Sequence, residues 1–176
     1  MQSDETVSTE ISKDPRPRAT DTILLGGLAI GVLDFLDATL FFGLYYGASF
    51  QRIWQGVSSG VLGPEAARSG GWRTAALGIL LHFVVAFCIA AVYYIAARNI
   101  PFLIRHPIVS GLAAGVIAHL VMRYVVIPLS AIGTVAPYDL ANFLNSVVGH
   151  ALVVGLPVAL IAAWSAKRER TERVLP

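Results

Sequence analysis

Residues 74–97 read TAALGILLHFVVAFCIAAVYYIAA, without one Asp, Glu, Lys or Arg. As an α-helix at about 1.5 Å per residue, this run is roughly 36 Å long, enough to cross a hydrocarbon core of about 30 Å. Backbone inside a bilayer must satisfy its own hydrogen bonds, so a run of this length predicts a transmembrane helix. Three runs of the same kind accompany it, at 22–46, 107–130 and about 142–166. Pro107 opens one of them, where a helix tolerates proline, and Pro157 inside the last predicts a disturbance of the helix. The predicted fold class is all-α, a four-helix transmembrane bundle over residues 22–166. Residues 1–21 read as a mobile cytoplasmic tail and 167–176 as a basic, solvated one.

Composition agrees. Of 176 residues 56% are hydrophobic and 14% charged, against about 25% charged in a soluble domain. Mean hydropathy is +0.68. A disordered chain is excluded, and the basic residues form no stripe suited to nucleic acid. The first 21 residues carry more acids than bases and make a poor signal-peptide start. A lone cysteine, Cys88, excludes an internal disulfide or a CxxC motif and reads as a small buried hydrophobe. There is no GxSxG, HExxH or Walker A motif, so nothing in the chain signals an enzyme.

Orientation follows from Lys and Arg. One set of flanks carries Lys13, Arg16, Arg18, Arg98, Arg105, Lys167, Arg168, Arg170 and Arg173, whereas the other carries only Arg52, Arg68 and Arg73. The positive-inside rule then puts both termini in the cytoplasm, with Trp72 and Trp164 at the interfaces and Tyr93 and Tyr94 as interfacial anchors. In the long first outer loop, Phe50, Ile53, Trp54, Val57, Val61 and Leu62 recur at helical spacing. Two readings stay open: a short amphipathic helix on the outer interface, or a loop packing its apolar residues on the bundle.

Ionisable residues at bilayer depth are costly, by about 2.5–3.5 kcal/mol each on insertion scales, and they mark where to look for function. Here they are Asp34 and Asp37 in the first span, His82 in the second, His119 and Arg123 in the third, and His150 in the fourth, with Asn145 nearby. Counted by helical rise, all six ionisable groups lie roughly 18–24 Å from the inner boundary, in one layer of the outer half. Each lies on or beside a small-residue face, such as Gly27/Gly31 or Gly111/Gly115, which favours close packing within the chain. The first and third spans run parallel, and their spacings match. The sequence therefore predicts two contacts, Asp34 with His119 and Asp37 with Arg123.

A layer of Asp, His and Arg fits three chemistries. It can neutralise itself as a structural cluster. It can relay protons or ions. It can hold a divalent metal, or a haem between His82 and His150. The structural reading is preferred, with no cofactor expected and haem or a divalent metal left open. The expected partners are the lipid bilayer and, as an open question, further copies of the chain.

The stretches GVLDFLDATLFFGL, GGWRTAALGILLHFVVAFCIAAVYYIAAR, HPIVSGLAAGV and RYVVIPLS, with the late His150, together resemble a group of small bacterial four-span inner-membrane proteins. The resemblance covers roughly residues 22–165. It implies an inner-membrane location and a four-span topology, and nothing catalytic.

Overall fold

The computed structural model describes residues 16–134, 137 and 139–174. Residues 1–15, most of the expected mobile tail, lie outside the described residues. The helices are α1 (Asp21–Tyr46), α2 (Phe50–Leu62), α3 (Pro64–Ser69), α4 (Gly71–Asn99), α5 (Pro101–Arg105), α6 (Pro107–Leu129) and α7 (Leu140–Glu172). No strand occurs among the described residues. Four helices, α1, α4, α6 and α7, are long and apolar enough to cross a membrane. The chain is built as a multi-pass membrane protein.

Three of these helices widen locally into a π turn, at Asp21–Leu25, Met122–Val126 and His150–Gly155, and proline explains the last two. Pro157 has no N–H for the carbonyl of residue 153, and its ring presses on that carbonyl. The helix responds with a π turn over His150–Gly155. Pro128 stands in the same relation to the carbonyl of residue 124, inside the π turn Met122–Val126. The disturbance expected at Pro157 takes this form; the one before Pro128 was not anticipated. All three turns fall in helices that carry the polar layer.

In lipid, apolar contact alone gives little driving force, so helices associate through small residues that let backbones approach. Gly111 and Gly115 of α6 lie directly against Gly155 and the His150 carbonyl of α7. A methyl group on any of these glycines would run into backbone. Gly27 and Gly31 of α1 receive the rings of Phe87 and Phe83 from α4. These two pairs pack helices within the chain, as expected. The pair Gly43/Gly47 does not: Gly47 ends α1 in the left-handed conformation at φ 64°, which favours glycine.

Spatially the spanning helices run in the order α4, α1, α7, α6. Helix α7 therefore separates the parallel pair α1 and α6. Helices α4 and α6 meet near the end that holds residues 18 and 165, where the Tyr93 hydroxyl lies 3.1 Å from Ser110 Oγ. At the opposite end α2 bridges them. It packs along α4, and its Gly60 carbonyl accepts the Ala131 N–H just beyond α6 at 2.9 Å.

Several details correct the sequence reading. Tyr93 is 5% exposed and belongs to the interior; Tyr94 alone keeps the outward position. Cys88 is exposed, because the inward face of α4 is Ala75, Gly78, Ala86, Ala90, Tyr93 and Ala97. Residues 16–21 are not loose. Pro17 is buried, the Arg18 N–H donates to Ser165 Oγ at 2.9 Å, and the Arg18 guanidinium pairs with Glu172. The Ser165 hydroxyl in turn donates to Asp21 at 3.0 Å. Trp72 and Trp164 are both exposed, as interfacial residues would be.

Candidate functional site

The site begins with α2, whose polarity is inverted. The segment after the first spanning helix forms a helix, started by Ser49, whose side chain accepts the Arg52 N–H. Its buried residues are Trp54, Gln55, Ser58 and Ser59, while Val57, Val61 and Leu62 face outward. The polar face enters the bundle because it finds partners there. The Gln55 amide nitrogen lies 3.0 Å from the Gly71 carbonyl and 3.3 Å from Thr74 Oγ1 and the Arg68 carbonyl. Ser58 and Ser59 donate to the Gln55 carbonyl. The loop reading, with apolar residues turned onto the bundle, is overturned. Only Gly78 on α4 allows the approach, since the Trp54 carbonyl and the Ser58 N–H occupy the space of its missing side chain.

This approach drives Trp54 between α1 and α4. Its side chain is 1% exposed. It stacks on Phe35 at 4.4 Å and meets the His82 ring at 5.1 Å, edge to face. Its indole N–H has no hydrogen-bond partner among the described residues. Phe83 closes another side of His82 at 5.4 Å.

His82 is anchored through one ring nitrogen and turns the other toward a carboxylate. Nε2 lies 2.9 Å from the Gly31 carbonyl oxygen. A carbonyl only accepts, so Nε2 carries the proton. Nδ1 then faces Asp34 Oδ2 at 3.8 Å, beyond hydrogen-bond reach but within ion-pair distance. A second proton on the ring makes the pair imidazolium and carboxylate. The two side chains are 11% and 21% exposed.

Asp37 turns elsewhere. Three residues along a helix rotate a side chain by about 300°, which leaves Asp34 and Asp37 roughly 60° apart. That is enough to address different neighbours. Asn145 of α7 donates its Nδ2–H to Asp37 Oδ2 at 3.1 Å, and Gly149 leaves room for the carboxylate. The next residue, His150, meets His119 of α6, ring to ring at 5.2 Å. His119 is 3% exposed. Arg123 lies one turn beyond His119, its guanidinium 5.7 Å from the Tyr124 ring.

The expected pairs Asp34–His119 and Asp37–Arg123 are thus replaced by Asp34–His82 and Asp37–Asn145. Among the described residues no ion pair joins Arg123 to either aspartate. The reason is the helix order: α7 stands between α1 and α6, so polar groups at one depth pair with the next helix and not across the bundle. His82 and His150 keep different company as well, one on α1 and α2, the other on α6. No three of His, Cys, Asp and Glu gather at one point among the described residues.

The result is a polar row through all four spanning helices in their spatial order: His82, then Asp34 and Asp37, then Asn145 and His150, then His119 and Arg123. Sequence reasoning missed Phe35, Trp54, Gln55 and Gly149 as parts of this site. A signal existed for two of them: residues 54, 55, 58 and 59 share one helix face. Reading only the apolar residues of that segment concealed it.

At the end of the bundle that carries α2, a second clasp joins α1 to α7. The Tyr46 hydroxyl donates to Asp139 Oδ2 at 2.5 Å, and Asp139 Oδ1 caps α7 by accepting the Asn142 N–H at 2.8 Å. The Asn142 N–H and, after it, the Tyr46 hydroxyl hold the Asp139 carboxyl below its ordinary range.

No protein-family model, curated protein or solved structure matches this chain.

Proposed function

We propose that the chain is a non-enzymatic, multi-pass protein of the bacterial inner membrane, with both termini cytoplasmic, whose polar row fastens the four helices to one another. The observation that carries this reading is the pairing of neighbours: α4 to α1 through His82, Asp34 and the Gly31 carbonyl, α1 to α7 through Asp37 and Asn145, and α7 to α6 through His150 and His119. The two interhelical hydrogen bonds among these, His82 to the Gly31 carbonyl and Asn145 to Asp37, contribute about 0.6–2 kcal/mol each in a membrane. Orientation is supported by the charges. Arg16, Arg18, Arg98, Arg105, Lys167, Arg168 and Arg170 gather at the end where residue 18 meets residue 165. The resemblance to small four-span inner-membrane proteins points the same way.

A second reading, a proton or ion path, is favoured by one observation: titratable side chains stand on all four spanning helices, and His82 presents an open nitrogen to Asp34. One experiment separates the two. The protein, Asp34→Asn and Asp37→Asn are reconstituted in vesicles carrying a pH-sensitive dye, and thermal unfolding is followed in detergent. The fastening role expects proton flux equal to empty vesicles for all three, with both variants unfolding earlier. A flux present in the parent and abolished in a folded Asp→Asn variant would establish the path and overturn the fastening role.

A further inference from the structure

At the inner end, the segment around residue 16 and the last turns of α4 enclose a pocket of about 270 Å³ lined by Arg16, Tyr94, Ile95, Arg98 and Asn99. Among the described residues its lining has two arginines and no acidic side chain. Arg98 donates to the Tyr94 hydroxyl at 3.0 Å, with its guanidinium 5.7 Å from that ring. This contact holds the arginine beside the pocket. Among the described residues neither Arg16 nor Arg98 pairs with an acid, whereas neighbouring Arg18 is taken up by Glu172. Asn99 directs its amide to the Ile95 carbonyl at 2.7 Å. Two guanidinium groups without an acidic partner among the described residues, one of them braced by a phenol, are suited to an anion with several acceptor oxygens, since guanidinium matches phosphate in shape and charge.

The surroundings are those of a lipid. Directly beyond the pocket along α4, Ile95 and Val92 are 59% and 67% exposed, and Cys88 continues the same face. An anionic group held at the pocket would have an apolar track leading from it toward the bilayer centre. A freely soluble anion has no use for such a track.

We propose that this pocket binds the phosphodiester of an anionic phospholipid, with Arg16 and Arg98 on the phosphate and Val92 and Ile95 alongside its acyl chains. The proposal rests on the membrane placement argued above and is independent of the role of the polar row. Basic pockets at the cytoplasmic ends of membrane helices recognise lipid head groups in this manner.

The test uses the full chain, delipidated in a neutral detergent. Binding of phosphatidylglycerol, of zwitterionic phosphatidylcholine and of inorganic phosphate is measured by native mass spectrometry and by thermal shift. Phosphatidylglycerol should bind and stabilise, and the other two should not. At about fivefold per lost guanidinium, Arg16→Gln with Arg98→Gln should weaken phosphatidylglycerol roughly twenty-fivefold. Arg52→Gln with Arg73→Gln removes the same charge from the opposite end and should leave binding unchanged. Arg16→Gln alone, outside every helix, covers the case in which the double variant unfolds; about fivefold weakening is expected. Unchanged binding in the Arg16/Arg98 variants, or equal loss in the Arg52/Arg73 variant, overturns the proposal. Inorganic phosphate acting as strongly as the lipid overturns the lipid assignment. Failure of the membrane placement shows separately, as release of the chain from membranes by alkaline carbonate.

Discussion

Replacing Gly78 by alanine tests the inverted helix α2 most directly. A Cβ at residue 78 would stand 2.8 Å from the Trp54 carbonyl carbon and 3.2 Å from the Ser58 nitrogen, and nearer still to the Trp54 oxygen. Ordinary contacts lie at about 3.5–4.0 Å. The opposing atoms are backbone, so no rotamer change relieves the overlap. Helix α2 must withdraw by roughly 1 Å, and the Trp54 ring must leave its stack on Phe35. Overpacking of this kind costs about 1–3 kcal/mol, and the lost aromatic stack about 0.5–1.5 kcal/mol more. The expected destabilisation is therefore about 2–4 kcal/mol, or a fall of roughly 4–16 °C in Tm for a chain of this size. The assay is thermal unfolding in detergent, together with tryptophan emission in a Trp72→Phe, Trp164→Phe background, where Trp54 is the sole reporter. Gly78→Ala should lower Tm and shift Trp54 emission to the red. Gly56→Ala is the control: nothing lies within 4 Å of a Cβ there, so it should stabilise α2 by about 0.5–1 kcal/mol. If Gly78→Ala is as stable as the parent with unchanged emission, the buried position of α2 is refuted.

Three further outcomes are expected. Asn145→Leu should cost about 1–3 kcal/mol by stranding the Asp37 carboxylate, and Asp37→Leu added to it should restore most of the loss. Arg123→Leu should show no such rescue by Asp37→Leu, and a double-mutant cycle in the opposite sense would return Arg123 to Asp37. The Tyr46–Asp139 clasp should make stability depend on acid. Because the folded Asp139 carboxyl is held low, its contribution is complete above the unfolded value of about 3.9 and is lost as pH falls through the lower folded value. Tm followed from pH 6 to pH 2 should therefore drop more steeply in the parent than in Asp139→Asn; parallel curves would remove the clasp from the account. Elemental analysis of protein purified without chelator should find iron, zinc and manganese well below one per chain. A stoichiometric metal would reassign the histidines as ligands.

Much of this was legible along the chain. The length of the apolar runs dictated four spanning helices, because lipid leaves the backbone no other way to satisfy its hydrogen bonds. That Asp34 stands level with His82, and His119 with His150, followed from counting residues along those helices, and helical rise varies little. The small-residue pairs Gly27/Gly31 and Gly111/Gly115 marked packing faces that the chain does use.

Partner choice was not legible. Depth says which groups share a layer, but the order of helices around the bundle says which of them touch. That order is set by where α7 inserts, and close approach of Gly155 to Gly111 and Gly115 decides it. Hence Asp37 meets Asn145 and not Arg123, and His119 meets His150. The amphipathic segment at 50–62 shows the same division. Its periodicity predicts a helix, yet a periodicity has no preferred direction. The orientation depends on Gly78 opening a space on α4 and on the acceptors around Gln55, two features remote in sequence from the Trp54 face they bury. Local hydropathy determined what crosses the membrane, and only tertiary packing determined which polar group each helix presents to the next.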